Sequence, residues 1–206
     1  METAISFVRH GEVFNPDNVF YGRLAGFGLS GKGKYQAVRA AEALNGSRLT
    51  AIFSSPLLRA RQTAGELVKS NPHLKLRVSS LLAEVASPFD GRPAREVDNL
   101  NGDVYTGSGD RFEQPRDIVH RVRQFIRRSR RQYAGDHIAA VTHGDVIAFT
   151  VLWINRQPLI PAHKSRLAPF GVSDGYPALA SVTTFTFRTE LDDEIPAVAY
   201  LRPYTW

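Results

Sequence analysis

Three short apolar runs, residues 4–8, 50–53 and 138–142, each break off at polar groups, and each is followed along the chain by a helical pattern. Runs of this length, rich in β-branched and aromatic residues, read as buried strands. The first, Ala4-Ile5-Ser6-Phe7-Val8, stops at Arg9-His10-Gly11. The second, Thr50-Ala51-Ile52-Phe53, stops at Ser54-Ser55-Pro56, and the third, ending in Thr142, stops at His143-Gly144. Strands that alternate with helices predict an α/β three-layer sandwich, a mostly parallel central sheet with helices on both faces. Its crossovers should be right-handed. Open sheets of this kind bind ligands beyond the carboxyl ends of their strands, so the polar groups found there are the first candidates for a site.

The spacing elsewhere fills in the layers. Ser30 precedes a helical pattern over 32–44, whose alanines and Val38 can face inward and which Asn45-Gly46 ends. A second helix is predicted over 57–68, with Pro56 suited to its first turn. Residues 74–78 alternate as a short strand. Residues 116–133 carry a strong stripe of Ile118, Val119, Val122, Phe125 and Ile126, and a helix over 145–154 follows the third strand. Residues 182–187 and 197–201 read as strands whose largely polar connection suits an antiparallel hairpin at one sheet edge. Phe185 and Phe187 belong to the core on this reading. Residues 84–114 are the least periodic, dense in Gly, Asp, Asn and Pro, and a loop of that length is usually functional or partly disordered. With no repeat or linker in view, residues 1–206 are expected to form a single domain.

Composition narrows the chemistry. There is no cysteine, so disulfides, thiolate metal sites and cysteine nucleophiles are excluded. Twenty-six basic against 20 acidic residues give a net charge of +6, which suits anionic partners without choosing among them. The start, Met1-Glu2-Thr3, lacks a signal-peptide pattern, and the longest apolar stretch, 146–154, is too short to span a bilayer. A cytoplasmic protein without membrane attachment is expected.

The segment Phe7-Val8-Arg9-His10-Gly11-Glu12 resembles the Arg-His-Gly motif of the histidine phosphatase superfamily, the phosphoglycerate mutase-like proteins. The stretch Ser54-Ser55-Pro56-Leu57-Leu58-Arg59-Ala60-Arg61-Gln62-Thr63-Ala64 is similar to that family's Ser-Ser-Pro-Leu-x-Arg-Ala-x-x-Thr-Ala, nearly residue for residue. Val141-Thr142-His143-Gly144 resembles the segment of its second catalytic histidine, and Leu82-Ala83-Glu84 its Leu-x-Glu proton donor. By this resemblance His10 is the nucleophile, Arg9 and Arg59 bind phosphate, His143 stabilises the transferred group and Glu84 is the acid. Gly144 joins His143 as a substrate contact. The chain departs from the family in the first loop: Val13 replaces a hydroxyl residue. Asn15 and the Tyr21-Gly22 pair each fall one position early, and Asn15 and Gly22 carry over as substrate-binding candidates on that displaced register.

These residue types suit phosphoryl transfer, which needs positioning and charge stabilisation more than covalent chemistry. Arginine forks remain charged at any working pH. A neutral histidine can attack phosphorus, and a protonated glutamate can release the alkoxide. The expected function is therefore metal-independent hydrolysis of a small phosphorylated metabolite through a phosphohistidine, with no cofactor. Two histidines and a glutamate could instead hold zinc, a reading that the family-pattern arginine and glycines beside the histidines make the poorer one. A phosphoglycerate mutase is the nearest alternative enzyme, and a binding protein for phospho-ligands or nucleic acid the alternative from another class. Arg121, Arg123, Arg127, Arg128, Arg130 and Arg131 lie largely off the apolar stripe, so a solvated helix face is expected and nucleic acid is not. Arg23 and Arg61 are read as solvated, and His73, His120, His137 and His163 receive no role. Specificity should lie in 84–114 and in the loop before Val182; oligomeric state is not readable.

Overall fold

The computed structural model describes residues 2–205. Within them six strands, β1 (Thr3–Arg9), β2 (Leu49–Ser54), β3 (Leu76–Val78), β4 (His137–Thr142), β5 (Val182–Phe187) and β6 (Ala197–Leu201), form one sheet in the order β3-β2-β4-β1-β5-β6. The pairs β3–β2, β2–β4 and β4–β1 are parallel. Strand β5 runs antiparallel to β1, and β6 antiparallel to β5, which places the expected hairpin at one edge. Among the described residues, five helices accompany the sheet: α1 (Gly31–Ala43), α2 (Leu58–Ser70), the short α3 (Ala94–Asp98), α4 (Pro115–Gln132) and α5 (Gly144–Ile154).

Because strand side chains alternate between faces, β1 feeds two separate cores. Val8 faces Ala40 and Ala41 of α1, Leu44 just after it, and Leu67 of α2. Ile5 and Phe7 face Ile118, Val122 and Phe125 of α4 together with Phe149 of α5. The Phe7 ring meets Phe185 edge-on at 5.5 Å, and Phe185 and Phe187 lie in the core as expected. Helix α5 is apolar nearly all round and buried along its whole length except at Trp153. No described helix is long and apolar enough to cross a membrane.

Some local expectations are corrected. Val38 is 38% exposed, and the inward face of α1 is made of Gln36, Ala37, Ala40 and Ala41 instead. Gln36 is buried because its amide oxygen accepts the Glu12 N–H at 2.8 Å. Leu57 caps α2 with extended backbone (φ −72°, ψ 141°), so Pro56 sits in the turn ahead of the helix and not in its first turn. Residues 84–114 are ordered by their own polar side chains. The Asp103 carboxylate accepts the N–H groups of Tyr105 and Thr106, and Glu113 accepts that of Ala86.

The parallel pairs align the ends of β1, β2 and β4 on one edge, in register through Val8↔Val141 and Ser54↔Val141. That edge carries Arg9-His10, Ser54-Ser55 and Thr142-His143.

Candidate active site

His10 leaves β1 with its backbone N–H donated to the Thr142 carbonyl at 3.0 Å, which keeps it in line with the sheet. Its Nδ1 lies 2.8 Å from its neighbour's carbonyl, Gly11 O. Only an N–H can make that contact, so Nδ1 carries the proton and Nε2 is left with a lone pair turned into the site. Gly11 is required less by a ligand than by the scaffold: a Cβ there would come 2.4 Å from the Gly33 carbonyl oxygen in α1. Its N–H is donated to the Thr63 hydroxyl of α2, at 3.1 Å.

Arg59, in the first turn of α2, is fully buried. Its Nε is 3.2 Å from His10 Nε2, and its Nη2 is 3.3 Å from His143 Nδ1, 3.8 Å from the Glu84 carboxylate and donates to Gly22 O at 2.7 Å. The Tyr21 ring lies 4.7 Å beneath the guanidinium carbon. His143 closes the other side, its ring centroid 5.2 Å from that of His10 and its Nε2 2.8 Å from Ser55 Oγ. The Glu84 carboxylate stands 3.3 Å from His143 Nδ1. Arg9 donates Nη1 to Pro177 O at 2.7 Å and lies over the Tyr176 ring. Two guanidinium nitrogens, Arg9 Nε and Arg59 Nη1, are buried with no protein partner. Buried donors of this kind are costly unless something accepts from them, and both belong to groups suited to an oxyanion.

Burial pushes the pKa of His10 well below the ordinary histidine value, helped by the charges of Arg59 and Arg9 and opposed by the Gly11 carbonyl. His143 is lowered well below it for the same reasons, burial first and Arg59 next. Both rings are therefore neutral near pH 7. Burial raises Glu84 above the usual carboxylate value despite Arg59. Ligand atoms of His10, Glu84 and His143 all lie within 4.8 Å of one another, a spacing that could hold a metal ion. The Arg59 guanidinium touches all three, bringing fixed positive charge to the place where a cation would sit.

Of the candidate site residues, Arg9, His10, Asn15, Gly22, Glu84 and Gly144 line one cleft, and Arg59 and His143 pack against His10 and Glu84 beside it, with differences in detail. Asn15 lines it, but its amide is engaged twice with the Val19 backbone, shaping the loop. Gly22 contributes its carbonyl and a positive φ of 31°; a Cβ would collide with Asp90. Gly144 makes room for Tyr176, whose hydroxyl would lie 2.2 Å from an added Cβ. Arg61 is exposed, as expected. Arg23 is not simply solvated: its Nε donates to Glu84 O at 2.7 Å and its Nη2 pairs with Glu113 at 2.7 Å. The expectation of a solvated α4 face also fails for Arg121, which pairs with Glu113 at 2.8 Å and donates to Leu81 O at 2.8 Å. Sequence reasoning gave no role to Ser55, Tyr21 and Thr63, although all three stand inside the segments it quoted. It also missed a buried cluster beside the cleft, in which Asp145 accepts from Tyr105 at 2.5 Å, Tyr176 at 2.7 Å and Lys164 at 2.8 Å. No local pattern marks Lys164 or Tyr176.

Comparison with known proteins agrees with this geometry. The chain is 35% identical over 209 residues to the Mycobacterium tuberculosis protein named Uncharacterized protein Rv0525, covering 98% of this chain and 97% of that one. It is 32% identical over 97 residues to the 2,3-bisphosphoglycerate-dependent phosphoglycerate mutase of Pseudoalteromonas atlantica, covering 46% and 42%. Among solved structures, mycobacterial glucosyl-3-phosphoglycerate phosphatase Rv2419c superposes with a TM-score of 0.76 at 22% identity, over 98% of this chain and 97% of that one, a likeness of fold. The family model for the histidine phosphatase superfamily (branch 1) matches residues 5–174, and the chain belongs to that superfamily as an enzyme of the phosphatase or phosphotransferase kind.

Proposed function

We propose that this chain, working as one domain, hydrolyses a small phosphomonoester through a phosphohistidine at His10. The observation that carries the reading is the His10 ring. Its Nδ1 proton is held by Gly11 O, and its free Nε2 lies against a buried guanidinium, beside two buried donor nitrogens that lack partners. Arg9 and Arg59 would take the phosphoryl oxygens, replacing the 3.2 Å contact between Arg59 and His10. The Nε2 lone pair then forms the P–N bond as the P–O ester bond breaks. Glu84 gives its proton to the leaving alkoxide, a role for which a raised pKa fits it. The resulting carboxylate takes a proton from water as the water oxygen attacks phosphorus. The P–N bond breaks, inorganic phosphate leaves and His10 returns neutral. His143, oriented by Ser55, stabilises the charge on the transferred group. Rv2419c being a phosphatase supports hydrolysis over isomerisation, as does the acid Asp98 in the cleft lining.

Incubating the protein with an aryl phosphate in the presence of a chelator, then quenching under alkaline conditions, should trap one phosphoryl group on His10. Label that survives His10→Ala, or turnover that appears only with added zinc, would remove the proposal.

A further inference from the structure

The cleft extends past the phosphate end, and as a whole it encloses about 360 Å³, near the small end of metabolite pockets. Its lining divides into two kinds. Val19, Phe20, Val85, Val97 and Val104 give an apolar wall. Beyond Arg9 and His10, the carboxyl and ammonium groups facing it are Glu84, Asp98, Asp145 and Lys164, with the phenols of Tyr21 and Tyr176.

Among the described residues that line the cleft, Lys164 is the one cation that stands apart from the phosphate-binding pair Arg9 and Arg59 and could meet a substrate carboxylate, and it is already committed. Its ammonium donates to Asp145 at 2.8 Å and to the Gly102 carbonyl at 2.6 Å, with the Tyr105 ring 5.4 Å away, and the residue is only 8% exposed. The same Asp145 carboxylate is held by Tyr105 and Tyr176, so it is not free to release the lysine. Asp98, at the exposed end of α3, has no ion-pair partner among the described residues. A carboxylate on the leaving group would therefore meet one neutralised lysine and up to two further acids. At the few ångströms available, one uncompensated charge in a half-solvated cleft alters affinity by about tenfold or more.

Resting on the phosphatase reading above, we infer that the leaving-group half of this site selects phosphomonoesters of alcohols that carry no carboxylate. The alcohol's carbon body lies on the Val19–Phe20 wall, and its hydroxyl or amino groups face Asn18 and Asp98.

Matched pairs test this without knowledge of the physiological substrate. Glycerol 3-phosphate and 3-phosphoglycerate differ at one end, a hydroxymethyl against a carboxylate, and phosphoethanolamine and phosphoserine differ by a carboxylate alone. Binding of each is measured by calorimetry, and kcat/KM by phosphate release. The carboxylate-free member of each pair should bind about tenfold more tightly or better. Asp98→Lys, on the exposed rim, should narrow or reverse the gap by admitting the acids. Equal or reversed preference in the wild-type protein, no binding by either member, or a gap unmoved by Asp98→Lys would overturn the inference. Aryl phosphate turnover at His10 is followed in parallel. If it persists while the preference fails, only the inference falls; if it is absent while the preference stands, the catalytic reading is what fails.

Discussion

Arginine does different work on two helices of this protein. In α2 a single arginine, Arg59, is buried and faces two histidines and a glutamate, with one nitrogen left unpartnered. In α4 six arginines occupy the span 121–131, yet those that are held are held by the scaffold. Arg121 pairs with Glu113, Arg127 with Asp192 at 2.9 Å, and Arg130 with Glu194 at 3.1 Å while lying over Phe187. What separates the two is position relative to the sheet. Helix α2 begins where β2 ends, on the edge shared with β1 and β4, so its first turn points into the ligand crevice. Helix α4 lies flat on the opposite core, and its polar side looks outward. Charge content says little about function until the topology has said where the charge is aimed.

Glu84 is reached from both helices: its carboxylate faces Arg59 of α2, while its carbonyl is held by Arg23 and, at 3.4 Å, by Arg121 of α4. Glu84→Gln should give the largest effect on rate for alkyl phosphates, about 10²- to 10⁴-fold, as for loss of a general acid. It should cost much less for aryl phosphates, whose leaving groups need no proton. In the wild-type enzyme, His10 is active when neutral and Glu84 when protonated. The acid limb of the rate profile therefore lies well below 6.5 and the basic limb above 4.5. Glu84→Gln should remove the basic limb. Stability should move oppositely. A carboxyl whose pKa is raised on folding favours the native state only while protonated, and that favour is lost as pH rises through the folded value. The variant should thus melt higher than wild type at neutral pH, with the gain shrinking as pH falls toward 4.5. A retained basic limb, or equal losses for both leaving groups, would take the acid role from Glu84.

Arg59→Ala should cost about 2–4 kcal/mol of transition-state stabilisation, the scale for removing a preorganised donor to developing charge. Arg128→Ala, an exposed change on α4, should leave kcat/KM within about twofold and serves as the matched control, since surface substitutions of this kind rarely perturb a distant site. Comparable losses from the two would erase the distinction between the helices. Arg59→Lys should recover little, since a single ammonium cannot bridge the points that the planar fork reaches.

The contrast also marks how far the sequence alone can be read. The apolar runs of β1, β2 and β4 and the stripe of α4 are local, periodic signals, and the polar groups that end those strands follow in sequence. His10, Arg59 and His143 are legible for that reason, and their chemistry comes with the motif. Glu84 is legible through its neighbours Leu82 and Ala83. Lys164, Tyr176 and Asp145 are not, because their significance lies in contacts that only the tertiary fold makes: Tyr105 and Asp145 meet across 40 positions. Arg23 and Arg121 are misread for a related cause. A charged side chain in a loop or opposite an apolar stripe is usually solvated, and nothing local reveals that the chain around 81–113 folds back to place the Leu81 and Glu84 carbonyls and Glu113 against these two.

The smallest effect expected concerns α4 and nucleic acid. A basic helix on a chain of net charge +6 invites that reading, but affinity for a polyanion depends on charges free to displace counterions. Arg121, Arg127 and Arg130 already have carboxylate partners, and Arg123 lies over the Trp153 ring at 5.3 Å. Among the described residues, Arg128 and Arg131 are the members of the run with neither an ion pair nor a ring contact. Two phosphate contacts predict a log–log salt slope of about −2 on duplex DNA, against roughly −5 to −9 for proteins that make six to ten. Anisotropy titration of a labelled duplex between low and physiological salt measures the slope directly. A shallow slope, flattened further by Arg128→Ala with Arg131→Ala, would leave α4 as scaffold. A steep slope that survives at physiological salt would mean that the ion pairs open to admit phosphate, and the difference drawn between the two helices would then hold only for the unbound protein.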